Sequence, residues 1–367
     1  MTKILFLADI NSTHTRKWVL AVAKEGFKIG IFSLNKANTD WFKNVPNIEY
    51  LSDSIAVDSR TIKDSGKLSY FKAVPALKRA IKAFKPDVIH AHYATSYGML
   101  GALSGFHPFI ISVWGSDIYE FPKKSWLHKY LLKRNLRKAD RILSTSRSMA
   151  LETAKYTKAN IDVTPFGIDT NLFKPQKVKS IFAENDIVIG TIKALEPVYG
   201  IKYLLEAFDI VHKKRTDISL KLLIVGGGSQ EAELKQLCKI YSLGNNVKFT
   251  GWIGYEEIPI YHNMLDIYVA LSESESFGVS VLEASACAKP VVVSNVSGFA
   301  EIVENGVTGI IVPVKNARVA ASAIEKLIND KEYARQMGEN GRKKVEEFYN
   351  WTSNINDIVN IYNSVLK

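Results

Sequence analysis

Residues 271–294 read LSESESFGVSVLEASACAKPVVVS, and the order of patterns in this stretch decides the fold. An apolar run ends near Leu271 as a strand would, residues 279–288 carry helical spacing, and 291–294 open another strand. The loop between strand and helix holds Glu275, and Glu283 falls on the helix eight positions later. The backbone N–H groups of Phe277, Gly278, Val279 and Ser280 then lie at a helix N-terminus, where unpaired donors and the helix dipole favour a phosphate. Gly278 has no Cβ to block close approach. Glu283, one to two turns along, is placed to accept hydrogen bonds from ribose hydroxyls. An ordinary strand, loop and helix with two solvated carboxylates fits the same residues equally well.

Working outward, short apolar runs alternate with longer helical patterns along the whole chain, which is the signature of parallel α/β layering. Strands are expected over residues 4–8, 29–34, 87–91, 109–113, 141–144 and 161–165. After Lys174-Pro175 comes a polar stretch. The pattern then restarts with strands over 187–191, 221–225, 247–250, 267–270, 291–294 and 308–312. Two such series, without a period of about 20 to 50 residues, point to two doubly wound domains and not to a solenoid. At 367 residues each half is long enough to bury a core of its own.

Composition narrows the class. A hydrophobic fraction of 47% with 23% charged residues is that of a soluble globular protein. Cys238 and Cys287 form no paired motif, which suits a reducing, cytoplasmic compartment. The opening MTKILFLADIN is too short in its apolar part for a signal peptide, and no run approaches the ~20 apolar residues of a membrane span. The net charge of +11 is uneven: residues 1–180 hold 29 Lys/Arg against 14 Asp/Glu, whereas the rest is mildly acidic. One half therefore faces something anionic.

Several chemistries are unsupported. Gly226-Gly227-Gly228 begins like a dinucleotide fingerprint, but Glu231 stands at the last glycine position and the motif lies mid-chain. Ser280 lacks the second glycine of a nucleophile elbow. No Asp-x-Asp and no His/Cys cluster with metal spacing occurs, so neither a metal nor another cofactor is expected. Nucleic acid is an unsupported partner, because no reading motif accompanies the charge.

Glu275 and Glu283, with SFG after the first and EASACAKPVVVS from the second, resemble the E-x7-E signature of family 4 glycosyltransferases. FGIDTNLFKP (166–175), LLIVGGGS (222–229), VKFTGWI (247–253) and GFAEIVENGVTGIIVP (298–313) follow in that family's order and spacing. The resemblance covers nearly the whole chain and is strongest over residues 160–315. It implies the GT-B fold, two Rossmann-like doubly wound α/β domains facing across a cleft. Residues 1–175 would form the acceptor-binding domain, 176–350 the nucleotide-sugar domain, and 351–367 a helix returning to the first. It also implies retention of anomeric configuration, with the departing diphosphate taking the acceptor proton.

By the same resemblance Glu283 holds the donor ribose, Glu275 lies near the transferred sugar, and the amides of Phe277–Ser280 approach the diphosphate. A basic pair normally neutralises that leaving group, where charge develops in the transition state. Lys193, in the loop GTIKALEPVYG (190–200), stands at the first position of the pair. The second basic residue is missing: Val198 and Tyr199 occupy its place. His92, closing DVIHAH, corresponds to a residue that contacts the sugar or acceptor. Asn11 and His14 fall in an acceptor-facing loop. Asp117, after Trp114, either binds an acceptor hydroxyl or caps the next turn.

Residues 123–141, KKSWLHKYLLKRNLRKADR, contain eight basic residues and one acid. Lys129, Lys133, Arg137 and Arg141 recur every fourth position, and Leu127, Leu131, Leu132 and Leu136 supply an apolar side. A basic amphipathic helix of this kind suits an anionic membrane surface; a core-packed helix with a solvated outer face has the same pattern. The expected activity is glycosyl transfer from a UDP- or GDP-sugar to a glycan or lipid-linked cell-envelope acceptor, at the inner face of the plasma membrane. A sugar-nucleotide epimerase or phosphorylase of the same fold, and a non-catalytic nucleotide-sugar-binding scaffold, are the alternatives.

Overall fold

Strands buried on both faces read as unbroken apolar runs, and VVVS, FIISV and LKLLIV are such runs. The computed structural model describes residues 1–52 and 70–366. Its chain divides into two units, Met1–Pro165 with Ser353–Lys367, and Phe166–Thr352.

The first unit contains β1 (Lys3–Leu7), β2 (Lys28–Phe32), β3 (Ile48–Tyr50), β4 (Val88–His92), β5 (Phe109–Val113), β6 (Arg141–Ser144) and β7 (Ile161–Val163). They form one parallel sheet in the order β3-β2-β1-β4-β5-β6-β7. β3 is absent from the sequence reading, because three residues with polar flanks show no apolar run. β4 ends on His92, the residue expected to close DVIHAH. Leu5, Leu7, Ile89, Ile111 and Leu100 are among the fully buried side chains of this unit's core.

The second unit contains β8 (Ile187–Ile192), β9 (Leu220–Val225), β10 (Val247–Phe249), β11 (Ile267–Ala270), β12 (Val291–Ser294) and β13 (Ile310–Val312). Their order is β10-β9-β8-β11-β12-β13, again all parallel. Residues 166–175 group with this unit, so the boundary falls ten residues earlier than the sequence pattern suggests: Ile168 donates to Tyr349 O at 2.7 Å and Phe173 is wholly buried.

The closing helix, Trp351–Val365, packs on the first unit from Ser353 onward. Tyr362 is fully buried, its hydroxyl 2.7 Å from His90 Nδ1, and its ring lies 5.8 Å from that of Phe27. His90 Nε2 is also 2.7 Å from Ser112 Oγ. Both nitrogens of this buried imidazole are thereby satisfied, as a buried polar group requires.

Candidate active site

Ligands of doubly wound sheets gather beyond the carboxyl ends of the strands where the strand order reverses. In the second unit that reversal lies between β8 and β11. The loops leaving these two strands carry Lys193 and Glu275, and the structure joins them. Lys193 Nζ is 2.5 Å from Glu275 Oε2, with the side chains only 13% and 12% exposed. Burial pulls the Lys193 pKa down, but Glu275 outweighs it, and the ammonium is held above the usual lysine range. The ring of Tyr199 lies under that ammonium, 4.5 Å from centroid to Nζ. The position where a second cation is missing thus presents a π face to the first one. Val198, its neighbour, is 39% exposed and brings no charge.

Gly278 begins the helix Val279–Ala286 at φ +105, a conformation open to glycine, and offers no capping side chain. Val281 N already donates to Gly278 O at 3.0 Å, whereas the N–H groups of Val279 and Ser280 have no earlier helical carbonyl to bond, the arrangement that favours an anion at a helix N-terminus. A Cβ at Gly278 would also meet Phe299 and Ile302 at 2.8–2.9 Å. Gly298 matters as much, though sequence reasoning passed over it. Its N–H donates to Glu275 O at 3.2 Å, and a Cβ there would lie 2.6 Å from that oxygen and 2.7 Å from Phe277 N. Phe277 is buried, its ring beside those of Phe166 and Tyr349. Tyr268, also unmarked in the sequence, is buried on β11 and donates its hydroxyl to Ser280 Oγ at 2.9 Å.

Glu283 faces inward from the same helix and is 5% exposed. Among the described residues no donor lies within hydrogen-bonding distance of its carboxylate; His262 Nε2 is nearest in kind, at 3.8 Å. A nearly buried carboxylate without a donor is expensive unless a ligand supplies one.

In the first unit the order reverses between β1 and β4. His92 ends β4, 2% exposed, with its ring 4.3 Å from Trp114 and 5.3 Å from Phe6. Burial first, then the neighbouring His90 and His14, lower its pKa well below the usual histidine value, so the ring is neutral. Nδ1 has no hydrogen-bond partner. Tyr93 follows at φ +73 and starts a wide π-type turn, Tyr93–Tyr97. His14 is half-buried with its ring 6.0 Å from Trp114.

Two acceptor candidates also make local hydrogen bonds to backbone. Asn11 donates to Lys36 O at 2.8 Å and accepts from Asn38 N at 2.7 Å, so its amide braces the loop after β2. Asp117 is buried and accepts from Ala94 N at 2.8 Å, Gly115 N at 2.9 Å and Trp114 N at 3.2 Å. These donors all precede it in the chain, two in the turn after β5 and one in the turn after His92, and the helix it stands in, Ser116–Tyr119, has no side-chain cap. Burial raises its pKa against those same hydrogen bonds.

The sequence profile of the glycosyl transferases group 1 family matches residues 173–344, and that of the glycosyl transferase 4-like family matches residues 3–146. This chain belongs to the family 4-like glycosyltransferases. N-acetyl-alpha-D-glucosaminyl L-malate synthase of Bacillus anthracis is 27% identical over 293 residues, covering 77% of this glycosyltransferase and 75% of its own length. The capsular polysaccharide biosynthesis glycosyltransferase CapM of Staphylococcus aureus is 31% identical over 208 residues, 56% of this chain and 53% of that one. The solved structure of HepE from Anabaena in complex with UDP and glucose superposes with a TM-score of 0.76 at 19% identity, over 99% of this chain and 100% of that one. The two parallel-sheet units of the glycosyltransferase have the GT-B fold.

The basic segment of the glycosyltransferase forms the helix Trp126–Lys138. Lys129, Lys133 and Arg137 are exposed on it. Arg141 is not on this helix, which stops where Ala139 turns extended; it lies on β6 and pairs with Asp162 at 3.4 Å. Trp126, Leu127 and Tyr130 are exposed at 80%, 47% and 55%. Among the described residues no helix is long and apolar enough to cross a membrane, and no three metal-ligating side chains cluster.

Proposed function

We propose that this glycosyltransferase retains anomeric configuration, works without a metal ion, and uses a UDP- or GDP-sugar as donor. The Lys193–Glu275 pair beside the uncapped helix at Gly278 is the observation that carries this reading. The diphosphate sits on the first-turn amides and gains charge as the glycosidic bond breaks. Lys193, held protonated, offsets that charge. Glu283 accepts from the ribose hydroxyls. Glu275 orients the sugar, and the departing diphosphate takes the acceptor proton on the same face. On the acceptor side, His92 is a neutral hydrogen-bonding group for a sugar or acceptor hydroxyl, with His14 beside the same tryptophan.

The acceptor is a glycan or a lipid-linked cell-envelope intermediate, met at the inner face of the plasma membrane. The exposed Trp126, Leu127 and Tyr130 next to Lys129, Lys133 and Arg137 support this, since aromatic side chains suit the headgroup level and each cation near an anionic surface is worth about 1 kcal/mol. Co-sedimentation with phosphatidylglycerol vesicles, lost in a Lys129→Glu/Lys133→Glu variant, is the expected result.

The donor site is tested by thermal shift with UDP, GDP, ADP and dTDP. A nucleotide at ~100 times its Kd adds about 2.7 kcal/mol of stability. One nucleotide stabilising the native chain, and Glu283→Ala less, is expected. No shift with any of the four would remove the donor assignment.

A further inference from the structure

His262 lies on the helix Ile258–Met264, wholly buried, with its ring 6.1 Å from Phe173 and 5.4 Å from Tyr268. Neither ring nitrogen has a hydrogen-bond partner. Two orphaned nitrogens on one buried side chain are rare and ask for a reason. Nε2 points to one: it is 3.8 Å from Glu283 Oε2. That gap is too long for a hydrogen bond and about 1 Å from a good one. The two His262 nitrogens are buried and unpaired, and the Glu283 carboxylate is the acid that Nε2 approaches.

We propose that His262 is a positioning residue for Glu283: when a ribonucleotide binds, Nε2–H donates to one carboxylate oxygen and leaves the other for the ribose hydroxyls. This rests on the donor-site reading given above. The group suits the task. Burial lowers the His262 pKa more than Glu283 raises it, and Lys289 lowers it further. The ring is neutral at working pH and has one N–H to give. It acts as an orienting donor to the carboxylate and not as a second charge, much as outer-shell partners fix the ligands of a metal. The consequence is a sugar preference: the binding energy that the hydrogen bond stabilises is spent on the ribose hydroxyls, so His262 contributes to selecting ribonucleotides over their 2′-deoxy counterparts.

The experiment measures Kd by calorimetry for UDP, GDP and the 2′-deoxy form of each, on the full chain and on His262→Leu, His262→Gln, Glu283→Gln and His262→Leu/Glu283→Gln. The native chain is expected to prefer the ribonucleotide. His262→Leu should lose about tenfold of that preference, the size of one hydrogen bond to a charged group. His262→Gln, which keeps a donor, should recover part of it. In the Glu283→Gln background, removing His262 should change the preference no further. Weaker binding of both forms in equal measure, with the preference intact in His262→Leu, would overturn the proposal and leave His262 a packing residue. So would additive losses in the double variant. If the native chain binds no nucleotide, the donor-site reading fails and takes this proposal with it; binding without any effect at His262 sinks this proposal alone.

Discussion

Lys193 and Glu275 form an ion pair 2.5 Å long, 82 residues apart in sequence, at the ends of the two strands that flank the strand-order reversal. Breaking a pair this far out of water strands the surviving charge. Lys193→Met should destabilise the fold by about 3 kcal/mol and lower kcat by about a hundredfold. Lys193→Met/Glu275→Gln should regain most of the stability and none of the turnover. Urea unfolding and initial-rate kinetics on the same preparations separate the two effects. A double variant as unstable as the single one would mean the pair matters only for packing.

Val198→Lys tests the missing cation. The site is 39% exposed, so stability should shift by no more than about 0.5 kcal/mol. A second ammonium beside the leaving group should raise kcat by about tenfold. Unchanged turnover would show that Lys193, seated on the Tyr199 ring, suffices.

Gly298→Ala adds one methyl group against backbone atoms of Glu275 and Phe277 that cannot move independently. The loop carrying the first-turn amides must shift. Nucleotide affinity should fall at least tenfold by calorimetry. An unaltered Kd would show that the loop absorbs the change.

His90 makes stability depend on acid. Burial depresses its pKa to about 3 in the folded chain, against about 6.5 when unfolded. Between these values the unfolded state binds the extra proton, so stability is full above pH ~6.5 and is lost as pH falls towards 3. At about 1.4 kcal/mol per unit the loss is on the order of 4 kcal/mol. His92 is depressed by burial too and adds in the same direction. Urea midpoints for the native chain and His90→Asn from pH 7 to 4 should diverge in slope, the native chain falling faster. Parallel lines would count against a buried neutral imidazole.

Both sheets were legible because parallel strands announce themselves as continuous apolar runs, and the helix over 279–286 because glycine and a carboxylate frame it. What the sequence hid was decided by tertiary contact. β3 is three residues long and held by its place beside β2. Arg141 continued a fourfold spacing beyond the point where the backbone had already left the helix. The bonds from Asn38 N to Asn11 and from Ala94 N to Asp117 join segments that only the fold brings together. His262 and Tyr268 carry no motif, and matter for what stands behind them in space.

The chain passes from one unit to the other twice, near residues 165 and 352, because the segment from Ser353 belongs with the first unit. Tyr362 and its bond to His90 make that return obligatory. No single cut can therefore release either half in a state fit to be handled alone. A fragment ending near residue 165 would carry an open apolar slot beside Phe27, and it should fall out of solution unless a peptide spanning 351–366 is supplied in trans.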